Sequence, residues 1–261
     1  MAVLDLLVVI IEIILSQIKD DFFPPSFLDI TPVCRVHYAL RRVAIGCSVW
    51  FTIMFTFDRY VTICCEKLKA KYCTEKTAAV VLTTTGSLLC LKNIPTYFRL
   101  KPVLIIDGIP MYCSNSDAYY YDPVWKGWKR FEKFLTPLFP FGFILFLNTL
   151  TVRQILVASQ VRKRLKGQSN GENSSDPEME SRRQSVILLF AISGTFIFLW
   201  LWYILNYFGV DDPLDSYGEY IFSQCAYMLQ NLTCCTNTIV YVASLSKFRE
   251  KLRNPLEAIF T

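Results

Sequence analysis

One stretch, from Pro32 to Cys65, constrains the fold of this chain more than any other part of the sequence. Aliphatic and aromatic side chains dominate it, and the pattern predicts one helix over its whole length. Such a helix is roughly 50 Å long, whereas the hydrocarbon core of a bilayer is about 30 Å thick. We therefore expect a tilted membrane-spanning helix with protruding ends. Asp58 and Arg59 lie near its end, where ionisable groups are costly unless they are paired or functional.

The composition is typical of a membrane protein with several spans. Of the 261 residues, 53% are hydrophobic and 15% aromatic, and the mean hydropathy is +0.33. These values are high for a soluble domain. The net charge of +5 is small, and the basic residues lie in short loops between apolar runs, so a nucleic-acid-binding surface is not expected. The ten cysteines lie mostly in apolar stretches and are not a disulfide scaffold.

Six apolar segments are predicted to cross the membrane, and we interpret residues 1–261 as one transmembrane domain. A loop over about 166–180 is rich in Gly, Ser and Asn and is predicted to be disordered. A basic amphipathic segment over about 246–254 is predicted to lie on the membrane surface as a short helix. The predicted spans cover about 1–18, 32–65, 77–97, 131–158, 185–208 and 220–244.

The distribution of Lys and Arg predicts the orientation. The segment after Arg59, the linker over 160–183 and the C-terminal tail are basic, whereas the loops over 19–31 and 209–219 are acidic. Short loops rich in Lys and Arg face the cytoplasm. We therefore expect a multi-pass cell-membrane protein with Arg59 on the cytoplasmic side and Cys34 and Cys113 outside.

Two motifs resemble those of a known family. Asp58-Arg59-Tyr60, with Cys34 two dozen residues upstream, resembles the third transmembrane helix of rhodopsin-like (class A) G-protein-coupled receptors. The run that ends in Asp5-Leu6 is similar to that family's second helix. The resemblance implies an all-α membrane protein, the seven-helix bundle of the rhodopsin type. It also implies that this chain holds the second to seventh helices and lacks the first.

The resemblance implies a function as well. A class A receptor binds an extracellular ligand, sits in the lipid bilayer and activates heterotrimeric G proteins, and it is not an enzyme. The run from Thr56 to Cys65, with Lys71 to Lys76, is similar to receptors of the probable G-protein coupled receptor 139 type, an orphan group related to neuropeptide receptors. This similarity favours a short peptide or an aromatic amino-acid-like ligand. The aspartate of amine receptors is absent, which disfavours an amine.

Roles for individual residues follow from the resemblance. Cys34 and Cys113 correspond to the family's outer disulfide. Arg59 would pair with Asp58 at rest and then receive the G protein, although an arginine that only extends its charge to the membrane edge is the alternative. The residues implied in G-protein coupling are Asp58, Arg59, Tyr60 and Tyr241. The residues implied in the activation switch are Phe196, Trp200, Asn237 and Tyr241, with Trp202 and Thr238 standing where the family has helix prolines.

Asp5, Ser48 and Asn237 match the family's sodium pocket. Three side-chain oxygens are suitable ligands for a hard cation. A hydrogen-bonded polar cluster without an ion is the alternative. An allosteric sodium ion is thus the one cofactor that the sequence predicts.

Arg41 is the main indication of how a ligand binds. It precedes Arg59 by 18 residues, about 27 Å along a helix, and so lies near the outer mouth. If Asp5 is level with Ser48, then Glu12 and Arg41 each lie two turns further out and can form an ion pair. The other interpretation is that Arg41 binds a carboxylate or carbonyl of the ligand with its planar donor fork. Trp200, Tyr203, Tyr207 and Tyr227 are predicted to supply aromatic walls.

Two other functions are compatible with the same apolar segments. A truncated, non-signalling receptor fragment would share every motif above. A six-span transporter or channel is the second alternative, but the sequence shows no internal repeat of the kind those folds carry. We find no hydrolytic triad, metal-ligand cluster or phosphate-binding loop in the sequence.

Overall fold

The computed structural model describes residues 2–18, 22, 26–166, 177–208 and 216–244. Most of this part of the chain is helical, so the all-α prediction is confirmed. The predicted surface helix at 246–254 and the centre of the predicted loop at 166–180 lie outside the described residues. The helices are α1 (Ala2–Val9), continued by a π-helix (Ile10–Ile18), then α2 (Thr31–Cys64), α3 (Glu66–Tyr72), α4 (Glu75–Phe98), α5 (Asp117–Tyr121), α6 (Pro123–Lys133), continued by a π-helical turn (Phe134–Leu138), α7 (Phe139–Lys166), α8 (Pro177–Tyr207) and α9 (Ser216–Ser244).

Four short strands lie between α4 and α5. They are β1 (Leu100–Lys101), β2 (Leu104–Ile106), β3 (Ile109–Met111) and β4 (Ser114–Asn115). β1 pairs antiparallel with β4, and β2 pairs antiparallel with β3. The β2–β3 turn is formed by Asp107 and Gly108, whose φ angles of 50° and 76° fit the mirror-image turns that suit a tight hairpin.

Four helices in the described part of the chain are long and apolar enough to cross a membrane. They cover Thr31–Cys64, Glu75–Phe98, Pro123–Gln160 and Val186–Asn206. The two other predicted spans, 1–18 and 220–244, are helical where they are described. They are not among these four helices, so their crossing of the membrane stays a prediction.

Capping residues set two of the helix starts. The Asp122 carboxylate accepts a hydrogen bond from the Val124 amide at 2.7 Å, and Pro123 fills the first helical position. The helix therefore begins at Pro123, ahead of the span predicted from residue 131. The Thr74 hydroxyl similarly accepts from the Thr77 amide and starts α4 at Glu75. At its other end α4 continues through Pro95 to Phe98.

The chain divides into two compact units, and α2 contributes to both. The first unit is Met1–Phe51 with Ala79–Pro140. Its interior includes a close approach of α2 and α4, where a Cβ atom added to Gly46 would lie 3.4 Å from the Leu89 side chain. Burial of apolar side chains from several elements provides its main stabilisation. Those side chains are Val8, Ala44, Cys47, Val49, Leu89 and Leu100.

The second unit is Thr52–Ala78 with Phe141–Thr261. α8 packs along α9 within it. α7 and α8 are joined by hydrogen bonds between the Asn148 amide and the Ser193 hydroxyl, at 2.8 and 3.2 Å. The largest fully buried apolar side chains among the described residues of this unit are Ile144, Leu188, Leu189, Ile192 and Phe196.

Candidate functional site

Cys34, in the first turns of α2, and Cys113, between β3 and β4, form the predicted disulfide, with Cα atoms 6.2 Å apart. The Thr31 hydroxyl donates to the Tyr112 carbonyl at 2.8 Å, and the Tyr112 amide donates to the Asp29 carbonyl. Tyr112 has a φ of 58°, an uncommon conformation for a residue with a side chain. Both backbone groups of Tyr112 are therefore bonded beside the disulfide, which fixes the loop to the start of α2.

The structure places Glu12 and Arg41 in direct contact. Arg41 Nε lies 2.6 Å from Glu12 Oε1. The Glu12 side chain is 2% exposed and that of Arg41 is 30% exposed. A buried carboxylate needs such a partner, because removal of a charge from water is costly. The geometry thus contains the ion pair, and the exposed part of the guanidinium stays accessible.

A cavity of about 210 Å³ lies between Arg41 and the disulfide. His37, Tyr38 and the buried Asp29 also line it. Arg41 lies 5.9 Å from the centre of the Tyr38 ring, within cation–π range. The cavity therefore combines an aromatic wall with a cation that has five hydrogen-bond donors.

Arg99 extends this aromatic and cationic arrangement. Its side chain is buried, and its guanidinium lies 5.5 Å from the Tyr38 ring and 4.7 Å from the Tyr119 ring. It also donates to the Tyr119 hydroxyl at 3.2 Å. Burial raises the pKa of the Tyr119 phenol, and the Arg99 charge opposes that rise. Arg99 was not predicted as a site residue from the sequence, although its position just after the α4 span indicates a functional or paired cation.

Two of the three predicted sodium ligands meet in the first unit. The Ser48 hydroxyl donates to Asp5 Oδ1 at 3.2 Å, and both side chains are buried. The Asn237 side chain lies outside the described part of the chain. The pair offers oxygen atoms that suit a hard cation, and the hydrogen bond between them equally suits a polar cluster without an ion.

Asp58 and Arg59 form an ion pair in the second unit. Arg59 Nη2 lies 3.0 Å from Asp58 Oδ2, and both side chains are about one-third exposed, at 30% and 38%. The guanidinium also lies 5.1 Å from the Phe55 ring centre. Tyr60 is part-exposed beside them, and the Tyr241 side chain is not among those described. Because an exposed ion pair contributes little stability, Arg59 can exchange Asp58 for another partner at a small cost in free energy.

Cys73 lies next to this pair. Its thiol is 3.6 Å from the Thr62 hydroxyl, which in turn donates to the Asp58 carbonyl. Burial raises the pKa of the Cys73 thiol, the Asp58 carboxylate raises it further, and the Thr62 hydrogen bond and the Arg59 charge lower it. The pKa of the Cys73 thiol therefore depends on both members of the ion pair.

Four predicted aromatic residues form a continuous row in the second unit. Phe196 stacks on Trp200 at 5.3 Å, Trp200 meets Tyr203 edge-on at 5.5 Å, and Tyr203 meets Tyr227 at 5.7 Å. Phe196 and Trp200 are buried, whereas Tyr227 is 40% exposed. Trp202, in place of the family's proline, contacts Phe222 instead. The Tyr207 side chain lies outside the described ones.

The first unit also contains a charged cluster that was not predicted from the sequence. Arg42 of α2 and Lys92 of α4 both approach Glu132 of α6, which is almost fully buried. The signal was present, since Lys92 and Glu132 interrupt apolar stretches. Nothing in the sequence pairs these residues, because they come from three helices far apart along the chain.

Comparison with known proteins decides the family. The sequence profile of the 7 transmembrane receptor (rhodopsin family) matches residues 1–241, nearly the whole chain. The chain belongs to the rhodopsin family of seven-transmembrane receptors. It is therefore a multi-pass cell-membrane protein and not an enzyme. This confirms the class suggested by the Asp58-Arg59-Tyr60 motif, and the similarity to the 139-type subgroup stays a prediction.

One curated relative of this rhodopsin-family receptor chain is a bradykinin receptor by name. The chain is 23% identical to the B2 bradykinin receptor of Oryctolagus cuniculus over 235 residues. The match covers 87% of this chain and 60% of the rabbit protein, so the chain spans about three-fifths of that relative's length.

Proposed function

We propose that this chain is a G-protein-coupled receptor that binds a short peptide or an aromatic amino-acid-like ligand outside the cell and activates heterotrimeric G proteins inside. The observation that carries the proposal is the placement of two arginines on one helix, α2. Arg41 lines the cavity beside the disulfide, and Arg59 pairs with Asp58 near the other end of the helix. The first suits a ligand and the second suits a signalling partner.

The ligand site is proposed around Arg41. The exposed part of its guanidinium can bind a carboxylate or carbonyl while Glu12 holds the buried part. Trp200, Tyr203, Tyr207 and Tyr227 are proposed to supply aromatic surface for the ligand. The name of the bradykinin receptor among the relatives is compatible with a peptide ligand.

Signalling is proposed to exchange the partner of Arg59. At rest Arg59 is neutralised by Asp58, and in the active state it contacts the G protein, with Tyr60 and Tyr241 beside it. The stacked Phe196 and Trp200 are the proposed switch, acting with Asn237. A ligand shifts this equilibrium only through its greater affinity for the active state.

A sodium ion is proposed to stabilise the resting state. Asp5 and Ser48 would hold it with Asn237, and the ion would supply positive charge to the buried Asp5 carboxylate. No other cofactor is proposed.

The proposal is tested by G-protein activation in cells that express the chain. Wild type and Arg59→Ala are compared, without ligand and with a panel of aromatic amino acids and short peptides, at matched surface expression. We expect a response that Arg59→Ala abolishes. Surface-expressed protein that never activates a G protein would favour the non-signalling alternative, and a membrane current or uptake that survives in Arg59→Ala would favour a transporter or channel.

A further inference from the structure

Arg42 and Lys92 both approach one carboxylate, that of Glu132. Glu132 Oε2 accepts a hydrogen bond from Arg42 Nη2 at 2.9 Å. Its other oxygen, Oε1, lies 3.7 Å from Lys92 Nζ, too far for a hydrogen bond. One carboxylate is therefore shared between two cations, and its short bond goes to the arginine.

Lys92 is the less well satisfied of the two cations. Its side chain is only 14% exposed, and its one hydrogen bond is a long one, 3.4 Å, to the Thr136 hydroxyl. An ammonium group has three donors and is strongly hydrated in water. These contacts compensate little of the hydration that a buried ammonium group loses, so a negatively charged acceptor would stabilise it.

In the Arg41–Glu12 pair, by contrast, the cation already has a negatively charged acceptor. It consists of one cation and one carboxylate in contact at 2.6 Å. The Glu12 carboxylate already accepts from Arg41 Nε there, whereas the nearest acceptor described for Lys92 Nζ is 3.4 Å away. A buried cation with such distant acceptors gains more from an added anion than one that is already in contact with a carboxylate.

We propose that Lys92 is the anchor for an acidic group of the ligand, with Arg42 and Glu132 holding it in place. This rests on the proposed receptor function and names the chemistry of its ligand: a carboxylate with no ammonium group beside it, as at the C-terminus of a peptide. A free amino acid fits less well, because its ammonium would lie next to two cations. Phe134 and Phe139 flank Thr136 in the sequence, and their exposed rings, 6.1 Å apart, are the proposed apolar surface for the ligand.

The test measures binding directly and needs no signalling. The probes are N-acetyl-L-phenylalanine and N-acetyl-L-phenylalaninamide, which differ only in the carboxylate. The purified chain in neutral detergent is titrated with each probe at constant ionic strength, and binding is followed by the rise in melting temperature. We expect the acid to bind and the amide to bind about tenfold or more weakly, since a charge-assisted hydrogen bond is lost.

Three variants separate an anion site from a structural cluster. Lys92→Met keeps the length of the side chain and is expected to abolish the preference for the acid. Lys101→Met also removes a lysine from an ion pair, with Asp117, but on the exposed loop, and is expected to leave the preference unchanged. Glu132→Gln removes the competing carboxylate and is expected to strengthen binding of the acid. A merely structural cluster would make Lys92→Met and Glu132→Gln act in the same direction.

Two results would overturn the inference: equal affinity of the wild type for acid and amide, or a preference that persists in Lys92→Met. Lys92→Arg keeps the positive charge and is expected to retain the preference for the acid. Its retention would show that the loss in Lys92→Met comes from the missing charge and not from a local fold defect. Failure of the receptor proposal is a separate result, since a chain that binds the acid but never activates a G protein would keep the anchor and lose the signalling role.

Discussion

The Asn148 amide of α7 donates a hydrogen bond to the Ser193 hydroxyl of α8 at 2.8 Å. Ser193 is fully buried, and its single proton has two acceptors within reach, the Leu189 carbonyl at 2.6 Å and Asn148 Oδ1 at 3.2 Å. A directional polar contact of this kind helps to fix the register of two helices, because it is made only when the two side chains face each other.

Removal of this contact is expected to destabilise the second unit. Ser193→Ala removes the partner of the part-buried Asn148 amide, and the loss of this hydrogen bond is expected to cost about 1 kcal/mol. Thermal unfolding in detergent, followed by tryptophan fluorescence, measures the loss. Ser159→Ala is the control, since its exposed hydroxyl bonds only to its own helix, and it is expected to unfold like wild type. Equal melting temperatures for both variants would show that the inter-helix bonds add no stability.

The Glu12–Arg41 pair predicts an asymmetry between its two single variants. Arg41→Met leaves the buried Glu12 carboxylate without the arginine and is expected to cost about 3–5 kcal/mol. Glu12→Gln leaves a part-exposed arginine that water can solvate, so its cost is smaller. The double variant Glu12→Leu/Arg41→Met is expected to recover most of the stability lost in Arg41→Met. Equal losses of stability in the two single variants would contradict the conclusion that Glu12 is the more deeply buried member of the pair.

The disulfide is expected to be a major source of stability for the first unit. Cys34 and Cys113 are 79 residues apart in sequence, and a cross-link over a loop of that length restricts the unfolded chain by about 4 kcal/mol in the chain-entropy treatment. Cys34→Ser/Cys113→Ser should therefore melt at a lower temperature than wild type, and a reductant should lower the melting temperature of wild type only. Cys90→Ser, at an exposed free thiol, serves as the control.

Cys73 provides a chemical readout of the Asp58–Arg59 pair. Because burial raises the pKa of its thiol, less thiolate is present near pH 8, and alkylation by iodoacetamide is expected to be slower than that of free cysteine. Asp58→Asn removes a charge that raises the pKa, so alkylation should become faster. Arg59→Met removes a charge that lowers the pKa, so alkylation should become slower. Mass spectrometry of the Cys73 peptide follows the rates, and the same change of rate in both variants would rule out an electrostatic cause.

Local patterns predicted some of this structure well. The α2 helix was predictable because its apolar pattern is continuous, and the disulfide because Cys34 and Cys113 matched the family positions. The contact between Glu12 and Arg41 followed from counting turns outward from Asp5 and Ser48, since helix rise is nearly constant. Those predictions depended on the pattern of one segment or on the pairing of two.

The features that the sequence did not predict depend on several elements at once. Glu132, Arg42 and Lys92 come from three helices, and no spacing in the sequence brings them together. The start of α6 at Pro123 was obscured because its first residues are charged and aromatic rather than apolar, although Asp122 and Pro123 carried a capping signal. The π-helical geometry around Glu12 and Thr136 has no sequence pattern that distinguishes it from an ordinary helix.

The β2–β3 hairpin offers a practical attachment point. The loop is fixed at its base by the β1–β4 ladder, the disulfide and the bonds of Tyr112, whereas Asp107 and Gly108 form the tip, with open space around the Gly108 position. Chain segments are inserted with least disturbance at exposed turns whose ends already lie close together. A short epitope placed between Asp107 and Gly108 would therefore leave the cavity around Arg41 intact, and an antibody would bind it on an intact cell if the hairpin faces outside as predicted.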